Sequence, residues 1–199
     1  MARRSEHSLE EIRTMVLNAA EAIVIEGGYS ALTMRKVAVE IGYTVGTIYM
    51  VFENMSDLIL HINGRTLDNI ADEIEQAEIK EGESSLEVLS KLYLTYANRN
   101  YHRWSLIFEH RLPPGSAVPD WYRSKIERVF NRFETEFALL VPENGLQKNR
   151  QAARALWAAI HGITMLSLSG KLNIIGVDDA EKSLLLLVRS FISGWTGFR

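Results

Sequence analysis

Leu32-Thr-Met-Arg-Lys-Val-Ala-Val-Glu-Ile-Gly-Tyr-Thr-Val-Gly-Thr-Ile-Tyr-Met-Val-Phe52 is the stretch whose reading decides the fold. Thr33 is a good N-cap, because its hydroxyl can accept from a free amide in the first turn of a helix. Met34, Val37, Ala38 and Ile41 follow at helical spacing and make one apolar face. Gly42 stands where a helix ends in a left-handed residue that glycine adopts cheaply. Thr44 caps a second short helix, with Ile48 and Phe52 four apart and facing inward. Two short helices joined by a glycine turn form a helix-turn-helix, a motif whose second helix enters the major groove of DNA.

Val45, Gly46, Thr47, Tyr49 and Met50 are left on the outward side of that second helix. Glycine inside a helix costs roughly 1 kcal/mol relative to alanine, so the missing side chain at Gly46 is read as room for a phosphate. The hydroxyls of Thr47 and Tyr49 suit phosphate oxygens, which position a protein without reading sequence. Val45 and Met50 suit thymine methyls. The competing reading packs the Tyr49 ring on a neighbouring helix.

These residues resemble the N-terminal domain of the tetracycline-repressor (TetR) family of transcriptional regulators, over about Leu9 to Leu60. The resemblance implies DNA contacts for Thr33, Arg35, Thr44, Thr47 and Tyr49, and Lys36 joins them as a neighbouring cation. The chain departs from the family at Met55, where a phosphate-gripping lysine is usual, and at Tyr43, where a small aliphatic residue is commoner.

Around this motif the sequence reads as helix throughout. Ser8 caps a first helix with Leu9, Ile12, Val16, Ala19 and Ile23 at steps of three and four, ended by Gly27-Gly28. Further helices are expected from Ser56 to about Ile79, Leu86 to His110, Asp120 to Leu140, about 148 to 172 and 178 to 198. Three prolines and a glycine exclude helix from 112–119. The fold class is all-α: a three-helix domain over residues 1–56, then an antiparallel helical effector-binding and dimerisation domain over 57–199.

The last two helices are apolar over more than one face, which demands burial on several sides. In 199 residues that points to a partner subunit, and a two-fold homodimer built from both helices satisfies it. Trp157-Ala-Ala-Ile-His-Gly162 resembles the tryptophan–histidine–glycine motif of one TetR C-terminal subfamily. There Gly162 allows close helix approach, and His161 serves packing before ligand binding. A small-molecule effector site is expected among the aromatics between reader and interface: Tyr96, Tyr101, Trp104, Phe108, Trp121, Phe133 and Trp157, with Arg99 and His161 as polar partners. An aromatic stripe at helical spacing is also what an ordinary core looks like.

Composition fits a globular protein, with 47% apolar and 24% charged residues. No apolar run approaches the ~18 residues of a membrane span, and Met1 to Ser8 has no secretory character, so a cytoplasmic protein is expected. With no cysteine there is no disulfide framework and no thiolate metal site. His102 and His110, eight apart, lack a third ligand, and neither a nucleophile elbow, a phosphate loop nor a dinucleotide glycine motif occurs. No catalytic residue, metal or cofactor is therefore assigned.

Charge pulls the other way. Residues 1–56 hold five cations (Arg3, Arg4, Arg13, Arg35, Lys36) against seven acids, a net of −2. Phosphate neutralisation supplies most non-specific affinity, so random DNA should be bound poorly unless the acids face away from the duplex. A ligand-responsive repressor binding a pseudo-palindromic operator is the reading that results. A helical adaptor that has lost DNA binding is the alternative, and a small-molecule enzyme is a more distant one.

Overall fold

The computed structural model describes residues 7–197, in nine α-helices. Arg3 and Arg4 lie outside the described residues. The chain divides into two compact units, one of 1–67 with 100–123 and the other of 68–99 with 124–199.

In the first unit, α1 (Leu9–Gly27) starts with a capping box: Ser8 Oγ accepts from the Glu11 amide at 3.2 Å, and Glu11 accepts from the Ser8 amide at 2.6 Å. Its buried stripe is Ile12, Val16, Ala19, Ala20 and Val24. Leu9, expected on that stripe, is exposed because it precedes the first turn that meets the core. After a short 3-10 turn come α2 (Met34–Glu40) and α3 (Val45–Ile48). Gly42, at φ +72°, ends α2. The Tyr43 amide donates to the Ala38 carbonyl and the Gly42 amide to that of Val39, satisfying two terminal acceptors. The core holds Val37, Ala38, Ile48 and Phe52 against the α1 stripe, with Leu58, Ile59 and Ile62 of α4 (Met55–Glu75) and Leu106 of α6 (Tyr101–Glu109).

The single helix expected from Leu86 to His110 is two, α5 (Ser85–Arg99) and α6. Asn100 breaks it at φ −123° and ψ 36°, and its side-chain oxygen accepts from Arg103 at 2.8 Å. Its side chain makes no cap bond to the α6 backbone, and asparagine in general favours helix ends. Within the first unit α6 is fastened to α1. Arg103 bonds Glu21 at 2.8 Å, and His102 Nδ1 donates to the Ile25 carbonyl at 2.9 Å, near the end of α1.

The second unit holds the C-terminal turns of α4, then α5, most of α7 (Asp120–Leu140), α8 (Gly145–Leu168) and α9 (Ala180–Gly197). α4 stops at Glu75 rather than near Ile79, because Arg132 Nη1 donates to the Ile74 and Glu75 carbonyls at 2.7 and 2.9 Å. A guanidinium on the last carbonyls both satisfies them and complements the helix dipole. α5, α8 and α9 pack on one another.

Candidate nucleic-acid interface

The reader is made by two threonine caps. Thr33 Oγ1 accepts from the Lys36 amide at 3.2 Å and Thr44 Oγ1 from the Thr47 amide at 3.3 Å. Thr44 and Thr47 also share a hydroxyl–hydroxyl bond of 3.1 Å, so both are oriented before any ligand arrives. α3 has only four helical residues. It continues as turns, with Tyr49, Met50, Val51 and Phe52 amides each bonded three or four residues back.

Ile48 and Phe52 are buried, as their spacing required, while Tyr49 is 52% and Met50 66% exposed. The Tyr49 ring is thus left free of the core. Val45 is half-buried and packs on the core, so its outward placement is only partial. A Cβ on Gly46 would meet nothing closer than Thr44 Oγ1, at 3.6 Å, so the fold itself does not call for glycine there. Arg35 and Lys36 are exposed and line a shallow groove with Thr33.

The acids are distributed in two ways. Glu21 is turned inward, its two oxygens taken by Arg65 at 2.9 Å and Arg103 at 2.8 Å. Glu26 and Glu40, by contrast, line the same groove as Arg35 and Lys36, so these two acids do not face away from the cations. Met55 is half-buried, opens α4 and packs on the core. Tyr43 is held by His7, whose Nδ1 is 2.7 Å from its hydroxyl.

The proposed effector residues fall into two groups. Tyr101, Trp104, Phe108 and Trp121 belong to the first unit. Trp104 is fully buried with Phe108 tilted against it at 5.1 Å, Tyr101 is exposed, and Trp121 stacks on His61 at 4.6 Å. Tyr96, Arg99, Phe133, Trp157 and His161 belong to the second. Tyr96 and Phe133 are buried, and Arg99 pairs with Glu73 at 2.6 Å. Trp157 stacks on His161 at 5.3 Å with Phe130 edge-on at 5.0 Å. Tyr93 completes this cluster, its hydroxyl 2.9 Å from His161 Nδ1. Burial holds His161 below the ordinary imidazole range, which keeps it neutral at neutral pH. A Cβ on Gly162 would meet no atom of the described residues within 4 Å, so none of them makes the close helix approach expected there.

Arg13, His61 and Asp57 belong to this unit's contacts without a sequence motif that marks them. Arg13 donates to the Val51 carbonyl at 2.6 Å and to His61 Nε2 at 2.7 Å. The i,i+4 spacing of Asp57 and His61 was the one available signal. No group of three His, Asp or Glu that could hold a metal occurs among the described residues, and none of their helices is long and apolar enough to cross a membrane.

The sequence matches two family descriptions: "Bacterial regulatory proteins, tetR family" over residues 16–62, and "Tetracyclin repressor-like, C-terminal domain" over residues 86–191. The HTH-type transcriptional repressor KstR of Mycolicibacterium smegmatis is 35% identical over 72 residues, which are 36% of this chain and 35% of that protein. The chain thus spans about a third of that relative. An uncharacterized HTH-type transcriptional regulator of Mycobacterium tuberculosis is 20% identical over 87% of this chain and 78% of its own length. A solved structure described as a tetR-family transcriptional regulator from Streptomyces coelicolor superposes with a TM-score of 0.67 at 14% identity, over 96% of this chain and 83% of that one.

Proposed function

The chain belongs to the TetR family of bacterial regulatory proteins, and from that premise we propose a ligand-responsive repressor that occupies a pseudo-palindromic operator as a homodimer. That it is a DNA-binding transcriptional regulator follows from the family and the reader fold. The observation that carries the finer reading is the exposed, pre-oriented face of α3 and the turn after it. Thr44 and Thr47 are locked together there, and Tyr49 and Met50 are free of the core.

In this reading residues 1–56 read DNA and residues 57–199 bind effector and dimerise, in the cytoplasm. Thr33, Thr44, Thr47 and Tyr49 hold phosphates together with Arg35 and Lys36. Gly46 lets the backbone approach, while Val45 and Met50 touch base edges. The homodimer forms through α8 and α9. Leu186 of α9 is 68% exposed in the single chain, and Met165 and Leu166 of α8 are also exposed, which supports a partner covering these helices. The effector site draws on the aromatic residues of the second unit, where Tyr93, Phe130 and Trp157 gather round His161.

Coupling follows from α4, which carries residues of both units. An effector that favours a different placement of α4 changes the separation of the two readers. Dimers of this type grip half-sites about one helical turn apart, roughly 34–36 Å. The effector must bind the two states with different affinity, or nothing shifts.

Selection of bound fragments from sheared source-genome DNA at moderate salt tests the proposal. Recovery of a short inverted repeat is the expected result. No enrichment, with protein free of bound small molecules, refutes the repressor reading and leaves the adaptor, which the acids Glu26 and Glu40 beside Arg35 and Lys36 would then explain.

A further inference from the structure

A four-residue helix does not hold its own shape: one turn of helix is below the length at which propagation outweighs nucleation. The segment bearing Tyr49 and Met50 must therefore be held from outside. Its front end is fixed by Thr44. Its back end, at the Val51 carbonyl, is fixed by Arg13 of α1, 38 residues away.

Arg13 makes three contacts at once within the first unit. Nη1 donates to Val51 O at 2.6 Å, Nη2 to His61 Nε2 at 2.7 Å, and the guanidinium carbon lies 4.5 Å over the Phe52 ring. A guanidinium only donates, so in this contact Nε2 of His61 is the acceptor. His61 is itself clamped, edge to Phe52 at 5.6 Å and stacked on Trp121 at 4.6 Å with an interplanar angle of 8°. Asp57, which accepts from the Glu53 amide, lies 3.4 Å from the same ring nitrogen. The contacts use the planar fork of arginine, two donors in fixed directions and a flat face on a ring, which an ammonium cannot reproduce.

We infer that Arg13 is a positioning residue for sequence reading: it sets the angle at which Tyr49 and Met50 are presented, and it is not itself a phosphate contact. The inference rests on the DNA-reading proposal. It predicts that losing Arg13 damages discrimination between sequences more than it damages attraction to DNA.

The test compares Arg13→Lys, Arg13→Gln and His61→Phe with wild type. Binding is measured to the selected inverted repeat and to a scrambled duplex of equal length, with the melting midpoint of each protein. His61→Phe keeps a ring between Phe52 and Trp121 but withdraws the acceptor, so it serves if the arginine variants do not fold. Expected is a fall of about tenfold or more in the operator-to-scrambled ratio for both Arg13 variants and about threefold for His61→Phe, with scrambled binding unchanged. A lysine variant with the wild-type ratio overturns the inference, since charge alone then suffices. Equal loss on both duplexes overturns it in favour of a phosphate contact. A lowered melting midpoint with the ratio intact reduces Arg13 to a structural role, and an unchanged ratio in His61→Phe removes the clamp. If wild type itself fails to discriminate, the DNA-reading proposal has failed and this inference goes with it.

Discussion

Replacing Glu21 by glutamine should loosen the first unit measurably. Glu21 is the common acceptor of Arg65 on α4 and Arg103 on α6, and its side chain is only 15% exposed. Hydrogen bonds to charged groups contribute about 1.5–3 kcal/mol each. The Arg103 pair, 18% and 15% exposed, belongs in that range. The Arg65 partner is 35% exposed and also bonds Asn18 at 2.7 Å, so solvent screening reduces its share to about 1 kcal/mol. Glutamine keeps one acceptor but turns an amide donor toward the other guanidinium, so the expected loss is about 2–3 kcal/mol, several degrees in melting midpoint. Urea unfolding gives the free energy, and a double-mutant cycle of Glu21→Ala with Arg103→Ala isolates the pair. A loss under about 0.5 kcal/mol, or a coupling energy near zero, would show that α6 is not held to α1 by this contact. Faster amide exchange in α6 of the glutamine variant is the accompanying local signature.

The two glycines of the reader separate conformation from contact. Gly42→Ala should cost about 1–2 kcal/mol because φ is +72°. Gly46→Ala should leave stability equal or higher by up to ~1 kcal/mol while operator affinity falls, and undiminished affinity would free Gly46 from any phosphate role. Tyr49→Phe should weaken operator binding by about threefold to tenfold with an unchanged melting curve; equal affinity would strike Tyr49 from the contacts. With Arg35 and Lys36 the exposed cations of the groove, a dimer neutralises about four phosphates through them, so log affinity against log salt should slope by about −4 or less steeply; a slope near −8 would mean other cations dominate. Burial lowers the His161 pKa, so the unfolded chain takes up its proton first as pH falls below about 6.5. Stability present above that pH is lost on acidification, and His161→Phe should flatten the drop in melting midpoint between pH 6.5 and 5.

What could be read from residues alone was what the chain settles locally. The caps at Ser8, Thr33 and Thr44, the glycine turn at Gly42 and the inward pair Ile48 and Phe52 each depend on neighbours within four residues, and all are in place. Helix ends fixed from a distance were not legible. Arg132 terminates α4 from 57 residues away, and no local signal marks Glu75 as the end. Asn100 is a capping residue, but inside a continuous helical pattern its effect was outweighed by periodicity. The aromatic set was visible as a set, yet its division between two units follows from long-range packing.

The charge balance of the reader shows the same limit more sharply, and it bears on how such a protein can select a sequence. A count over residues 1–56 treats every charge as available. Arg13 is spent inside on a backbone carbonyl, an imidazole and a ring, so it offers nothing to a phosphate. Glu21 is cancelled by Arg65 and Arg103, both supplied from beyond residue 56. On the groove that remains, Arg35 and Lys36 face Glu26 and Glu40 in equal number. A surface so nearly neutral draws little on the phosphate backbone, which is the sequence-independent part of binding. Affinity must then come from hydrogen bonds and apolar contacts that form only when the reader meets the right groove at the right angle. Such contacts are worth most when the side chains are already fixed, and a helix of four residues cannot fix them unaided. The arginine withdrawn from the charge count is therefore the one that gives the remaining contacts their geometry.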